Sequence, residues 1–332
     1  MVRSRSLGIL KSLIDPDMRK AFKCVFIFCA LLLTGLWGNA QQYPVFTQYY
    51  FNEMVINPAY VGTHVQLSAT AMYRNQWVNF PGSPKTFSVS AHTSIIKGKI
   101  GVGLLVNHDE IGSYSNEHIY GYYSYMLRFP NATLSMGLQA GVNVLGADFS
   151  ALDLQNPGDL SFSTFFNELK PNFGVGLYYN TKNFFLGASV PFILNNAVAT
   201  SIESFLAEIR EARYYFIRGG FIVPLDATEK VKINPSFLIR AQEGQPLSYD
   251  VNTAFIFHDV LSVGMSYRNV DALMTFIDLK LSEKLHFGYS YDWTQSEINQ
   301  FSNGSHEFML NYRVPIRKLH GNAECPSYYQ YR

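Results

Sequence analysis

The sequence predicts an all-β protein, a transmembrane antiparallel β-barrel of about fourteen strands preceded by a plug or latch segment, and three observations carry that reading. The first is alternation. From Gln66 to Val314 apolar residues fall at every second position in run after run. Leu134, Met136, Leu138, Ala140, Val142 and Val144, for example, interleave with Ser135, Gly137, Gln139, Gly141 and Asn143, the period-two pattern of a strand with two unlike faces. The second is composition. Charged residues make up 15% of the chain, below the roughly 25% of an ordinary soluble protein, while 26 Phe and 22 Tyr help to bring aromatics to 15%. The third is that short and long connections alternate, as they do in outer-membrane barrels. Mean hydropathy is -0.00, and after Gln41 no window supplies the ~20 consecutive apolar residues of a membrane helix. A helical membrane bundle is therefore excluded.

The chain opens with an export signal, residues 1–40. Met18-Arg19-Lys20-Ala21-Phe22-Lys23 is a basic start, residues 24–37 are mostly apolar, and Gly38-Asn39-Ala40 is a small-residue cleavage site. Met18 offers an alternative start, because residues 1–17 add nothing that a signal requires. Cys24 and Cys29 would leave with the signal, so the mature chain keeps Cys325 alone and forms no internal disulfide. The segment 41–64, QQYPVFTQYYFNEMVINPAYVGTH, is too aromatic for a disordered leader and carries the turn signal Asn57-Pro58. Two readings fit it: a plug or latch packed inside the periplasmic mouth, or an ordinary periplasmic extension.

The barrel spans 65–314. Strands are predicted near 66–77, 86–96, 98–107, 117–129, 133–147, 172–181, 184–192, 212–224, 231–241, 247–257, 260–268, 272–282, 285–293 and 304–314. Short links fall at Lys97-Gly98, Pro130-Asn131-Ala132, Lys182-Asn183, 226–230, His258-Asp259 and Ser282-Glu283-Lys284, with longer ones between them at 78–85, 108–116, 149–171, 193–212 and 293–304 and shorter outer links near 242–246 and 269–271. If the first strand rises from the periplasm, both termini are periplasmic. Within the 193–212 link, Thr200 and Glu203 form a capping box ahead of Ile202, Phe205, Leu206 and Ile209, which predicts a short amphipathic helix over the mouth.

Opposite the lipid face stand Gly101, Gly103, Gly137, Gly141, Gly174, Gly176, Gly187, Gly264 and Gly288. Glycine weakens a strand, so this repetition means either strong wall curvature or a second segment lying against the wall. Inward charges of both signs accompany them: Arg74, Arg128, Lys232, Arg240, Arg268, Lys280 and Arg313 with Asp250, Asp278, Asp292 and Glu307. Such a lining favours internal ion pairs or a filled lumen over an ion-selective pore. The tail 315–332 reads as a periplasmic extension, either a loose terminus or a hook for a partner; its Cys325 allows an intermolecular disulfide.

No enzyme is indicated. His108-Asp109-Glu110 is the best local cluster, but it falls in a predicted loop without a paired serine. His286 reads as a hydrogen-bonding residue of the lumen. No metal-ligand spacing is present, and Gly101 and Gly103 lie within a strand where no helix follows to cradle a phosphate, so no cofactor is expected. With a net charge of +1 and no basic patch in the mature region, nucleic acid is not a partner either.

The segment before the barrel carries a resemblance. Phe46, Gln48, Tyr49 and Asn52, then Asn57-Pro58-Ala59 and Gly62, with Tyr73-Arg74-Asn75-Gln76-Trp77, Gly82 and Pro84 in Pro81–Thr86, and Gly101-Val102-Gly103 ahead of Asp109, make the mature chain similar to the PorP/SprF family of Bacteroidota. The resemblance implies an outer-membrane component of the type IX secretion system. It supports secretion or surface anchoring of large proteins, gliding adhesins among them, whose C-terminal domains are the export signal. It also implies outer-membrane lipid around the barrel and, as in some members, a peptidoglycan-binding periplasmic lipoprotein as second partner. A fatty-acid-channel-like transporter of hydrophobic or small solutes is the competing reading; it requires a continuous route through the lumen.

Overall fold

The computed structural model describes residues 46–314 apart from 65, 97, 149–165, 199–208, 211–212, 244 and 270. The predicted export signal and C-terminal tail lie outside the described residues. Fourteen antiparallel strands close into a barrel: β1 (Leu67–Asn75), β2 (Lys85–Ile95), β3 (Ile100–Ile111), β4 (Tyr114–Phe129), β5 (Ala132–Ala147), β6 (Phe166–Thr181), β7 (Phe184–Val190), β8 (Tyr214–Phe221), β9 (Val231–Gln242), β10 (Ser248–Phe257), β11 (Leu261–Arg268), β12 (Ala272–Lys280), β13 (Leu285–Thr294) and β14 (Ser305–Val314). Each pairs with its sequence neighbours. Closure comes from β1 on β14, in register from Leu67↔Val314 to Asn75↔His306, which leaves the wall without a free edge. β1 begins and β14 ends at one mouth, called here the near mouth; β1 ends and β14 begins at the far mouth.

Lipid explains the alternation. Along β4, Tyr120, Tyr122, Ser124 and Met126 are buried inward while Ile119, Tyr123, Tyr125 and Leu127 are exposed outward, a pattern that a water-filled outside would not select. Exposed aromatics gather at the two ends of the band. Tyr73, Phe87, Tyr267 and Trp293 lie toward the far mouth, and Phe129, Phe221, Phe257 and Tyr312 toward the near mouth. β1 has 9 residues and β13 has 10, about the length of a tilted crossing. β4, β5 and β6 have 16 each and pair along their full lengths. Their excess rises beyond the far mouth as a high wall.

That wall corrects the predicted link at 108–116, where the chain turns at Gly112 and Ser113 between β3 and β4. Once a strand leaves the hydrocarbon, its outward positions turn polar, here His108, Glu110 and Glu117. The apolar contrast disappears although the backbone ladder continues. For the same reason Phe166–Pro171, predicted as part of a link, belongs to β6. The predicted helix falls mainly on 199–208, outside the described residues; Ile209 itself pairs with Val198 as a two-residue bridge. β7 ends at Val190, and Pro191–Leu194 folds inward at the far mouth. Phe192 is buried there, 5.5 Å from the Tyr120 ring, while the Gln139 amide donates to the Pro191 carbonyl at 2.8 Å.

Candidate functional site

The site is the lumen and the segment that fills it. Short 3-10 turns at Thr47–Tyr50, Glu53–Val55 and Pro58–Tyr60 carry the chain through the barrel. The third follows from local chemistry. Pro58 presets the first helical φ, and the Asn57 side chain caps the turn by accepting from the Ala59 amide at 2.9 Å. Gly62, at φ +82, then reverses the direction.

Every part of this segment is tied to the wall. Thr47 lies toward the far mouth: its amide donates to Glu307 Oε2 at 2.9 Å, and its hydroxyl donates to Asp292 at 3.0 Å. Arg74 closes that corner, 2.8 Å from Asp292 and 3.0 Å from Glu307. Phe46 packs with Tyr50, Phe51, Met72, Phe276 and Met309. The Tyr49 hydroxyl donates to Asp250 at 3.1 Å, and that carboxylate also takes Arg268 at 2.9 Å. Asn52 donates to Ser90 Oγ at 3.0 Å. Glu53, 2% exposed, meets Arg218 at 3.3 Å. The same guanidinium donates to the Tyr49 carbonyl at 2.7 Å and stacks 5.0 Å from the Tyr49 ring and 5.3 Å from the Phe185 ring. Deeper in, Ser189 donates to the Ile56 carbonyl at 2.6 Å, and Asn57 donates to the Leu177 carbonyl at 3.0 Å. Ser124 donates to the Val61 carbonyl, and the Gly62 amide donates to His92 Nδ1 at 3.2 Å.

The glycines of the wall are the mould for this segment. A Cβ on Gly101 would stand 2.1 Å from the Val61 carbonyl oxygen, one on Gly137 2.2 Å from the Ala59 nitrogen, and one on Gly176 2.1 Å from Asn57 Oδ1. Of the two readings of repeated inward glycine, close approach of a second segment accounts for these three. The plug runs the length of the lumen, where a filler confined to the periplasmic mouth was expected: Thr47 is bonded near the far ends of β1, β13 and β14, whereas Val61 and Gly62 reach the near ends of β2, β3 and β4.

The motif residues thus divide. Phe46, Tyr49, Asn52, Asn57, Pro58, Ala59 and Gly62 lie in the lumen with Arg74; the Gln48 side chain lies outside the described residues. Tyr73, adjacent to Arg74, faces outward at 41% exposure. Gln76, Trp77, Gly82 and Pro84 belong to the β1–β2 link, where the Gln76 amide donates to the Pro84 carbonyl and the Gly82 carbonyl accepts from the Gly112 amide, each at 3.0 Å. The Glu53–Arg218 lock is absent from the motif, although Glu53 is the only carboxylate between Gln41 and His64. A lone acid in a segment destined for burial demands a cation, and that signal was available.

His108, Asp109 and Glu110 do not converge. They lie on β3, not in a loop, where His108 and Glu110 face outward 3.2 Å apart while Asp109 turns inward and accepts from Thr86 at 2.5 Å. His286 is buried inward, its Nδ1 3.8 Å from Asp278.

Comparison with known proteins follows from this geometry. Among solved structures the chain is similar to the Acinetobacter baumannii outer membrane protein Omp33, at 9% identity over 75% of this chain and 99% of that one, with a TM-score of 0.45. It is also similar to the CymD monoaromatic hydrocarbon channel, at 10% identity over 86% of this chain and 96% of that one, with a TM-score of 0.49. No curated protein matches the sequence. The family model described as type IX secretion system membrane protein PorP/SprF matches residues 38–312, from ahead of the plug into β14, so the fold, the lumen and its filling segment are covered together and the chain belongs to the PorP/SprF family of outer-membrane barrels of the type IX secretion system.

Proposed function

We propose that this secretion component works by docking proteins rather than by conducting solutes, supporting export or surface anchoring of large proteins through their C-terminal domains. Gliding adhesins are the client class that family membership suggests. In this reading residues 1–40 are the export signal, the near mouth and the tail 315–332 face the periplasm, and the far mouth with the high β3–β6 wall faces outward. The outward surface receives the client; the periplasmic surface is open to a peptidoglycan-binding lipoprotein. The motif residues from Phe46 to Gly62 serve to keep the lumen filled.

One observation carries the proposal: the plug is bonded to the wall around its circumference, from Glu307 and Asp292 through Ser90 and Ser124 to Ser189, with a core of residues such as Met54, Ala59 and Val61 at 0% exposure. A fatty-acid-type channel needs a continuous route, and the plug stands across it. Two measurements test the reading. Affinity purification from the native outer membrane is expected to recover a large surface protein with the barrel. The purified protein in a planar bilayer is expected to give no steady conductance. A conducting protein with no bound client would return the transporter reading.

A further inference from the structure

Where β3 leaves the hydrocarbon its outward side changes from Val106 to His108 and Glu110, while its inward side carries Asn107 and Asp109, 3% and 1% exposed. Asp109 differs from the other buried carboxylates of the lumen. Asp292 and Glu307 are paired with Arg74, Asp250 with Arg268 and Glu53 with Arg218. Among the described residues no lysine or arginine pairs with Asp109, whose carboxylate accepts from the Thr86 hydroxyl at 2.5 Å. Asn107 carries a second deficit: its Oδ1 is buried and accepts no hydrogen bond from any described residue. A carboxylate out of water without a counter-charge is unfavourable, and so is an amide oxygen without a donor. One hard cation relieves both.

The ladder brings these oxygens together with two more. Thr86 stands directly opposite Asp109, and Ser88 directly opposite Asn107; all four side chains are inward and buried. Opposed residues stand roughly 5 Å apart and the next inward rung lies about 7 Å along the strand, so the four Cβ atoms mark a patch small enough for one ion to meet every side-chain oxygen. Neighbouring side chains bound this patch and are committed elsewhere. Ser90, the next inward residue of β2, accepts from Asn52 of the plug at 3.0 Å. On β4, His118 stands opposite Asn107, but its Nδ1–H donates to Asn143 Oδ1 at 2.7 Å, an oxygen that also accepts from the Tyr120 hydroxyl at 2.6 Å. That ring is thereby turned toward β5.

We propose that Thr86, Ser88, Asn107 and Asp109 form a calcium site in the lumen, at the foot of the high wall. The donor set is oxygen only, which suits a hard cation rather than zinc or copper. A carboxylate, an amide oxygen and two hydroxyls leave the remaining positions to water, an irregular shell that calcium accepts and that magnesium, with its near-ideal octahedron, does not. A single formal charge places the affinity at the weak end of calcium sites, about 0.1–1 mM. The ion braces β2 against β3 where the wall rises beyond lipid, whatever that wall receives.

The test uses the full-length protein purified from outer membranes in mild detergent, stripped of metal with a chelator and equilibrated with radioactive calcium by dialysis. Saturable uptake with a Kd of about 0.1–1 mM is expected, resisting an equal concentration of magnesium. Asp109→Asn is expected to weaken uptake roughly tenfold or more, and Asn107→Ala by a smaller factor. E110Q/E117Q, altered only on the outward face of the same strands, is expected to bind as the unaltered protein does. Heat-shifted migration on a gel reports whether each variant forms the barrel. If D109N does not, N107A and S88A decide the matter, since each removes one ligand and leaves the carboxylate. Absence of saturable uptake, or uptake that survives D109N and N107A, would overturn the site. Loss in E110Q/E117Q with D109N unaffected would overturn it as well, by moving the calcium to the outer face.

Discussion

Glu53 and Arg218 meet in a lumen that leaves both almost wholly buried, 3.3 Å apart and walled by Tyr49, Tyr50 and Phe185. Removing one member of such a pair leaves the other charge in a poor solvent, at a cost of about 3–5 kcal/mol, whereas replacing both by apolar groups is often neutral. Arg218→Met is therefore expected to lower the stability of the refolded barrel by about that amount, and Glu53→Met with Arg218→Met to recover most of it. Denaturant unfolding in detergent, read on the single and double variants, checks this; equal losses in both would show that the pair does not act as a unit. Arg218 could not be singled out from sequence because nothing near it in the chain needs it. Its partners lie in the segment 46–64, and contacts of that range leave no local period. Glu53 was easier to notice, since a polar residue in a segment rich in Phe and Tyr asks for a partner without saying where it is.

The plug is an element apart from the ladder. None of its described residues joins a strand ladder, and β1–β14 closure runs from Leu67 to Asn75 without it. Deleting residues 46–62 is therefore expected to leave a closed barrel with strand content unchanged by circular dichroism, but one that passes ions steadily in a planar bilayer. Gly137→Leu gives the same result by a different route: its side chain would have to occupy the space of the Pro58–Ala59 backbone, and overpacking of this kind costs ~1–3 kcal/mol or more. An intact but silent barrel in both cases would mean that the inward fold at Pro191–Leu194 closes the far mouth by itself. Strands were the legible elements because lipid imposes the alternation on them. Where lipid ends the signal ends, so the upper parts of β3, β4 and β6 read as loops. The plug was legible as a segment needing burial, through its aromatics and Asn57-Pro58, yet its path down the lumen was not, because direction is set by Glu307, Asp292 and Ser124 at remote positions.

At the scale of the whole molecule, the two ends differ in height and in the length of their links, and these differences bear on orientation. The far end carries the high wall and the longer links, whereas turns dominate the near end, an asymmetry that in bacterial barrels accompanies an outward far end. Fixing the far end outward has a consequence for the plug: Thr47 then lies in the outward half of the lumen, and the shared periplasmic side proposed for the termini applies directly only to the exit of β14. Asn299, exposed in the β13–β14 link, and Ala227, exposed in the β8–β9 turn, mark the two ends. With Cys325→Ser as background, Asn299→Cys is expected to react with a membrane-impermeant maleimide on intact cells, and Ala227→Cys only after the outer membrane is permeabilised. Reversed labelling would invert the barrel, moving the high wall to the periplasm and the short turns to the outside. The client would then have to be engaged from inside, so this one pair of labels decides which face of the molecule the secretion machinery uses.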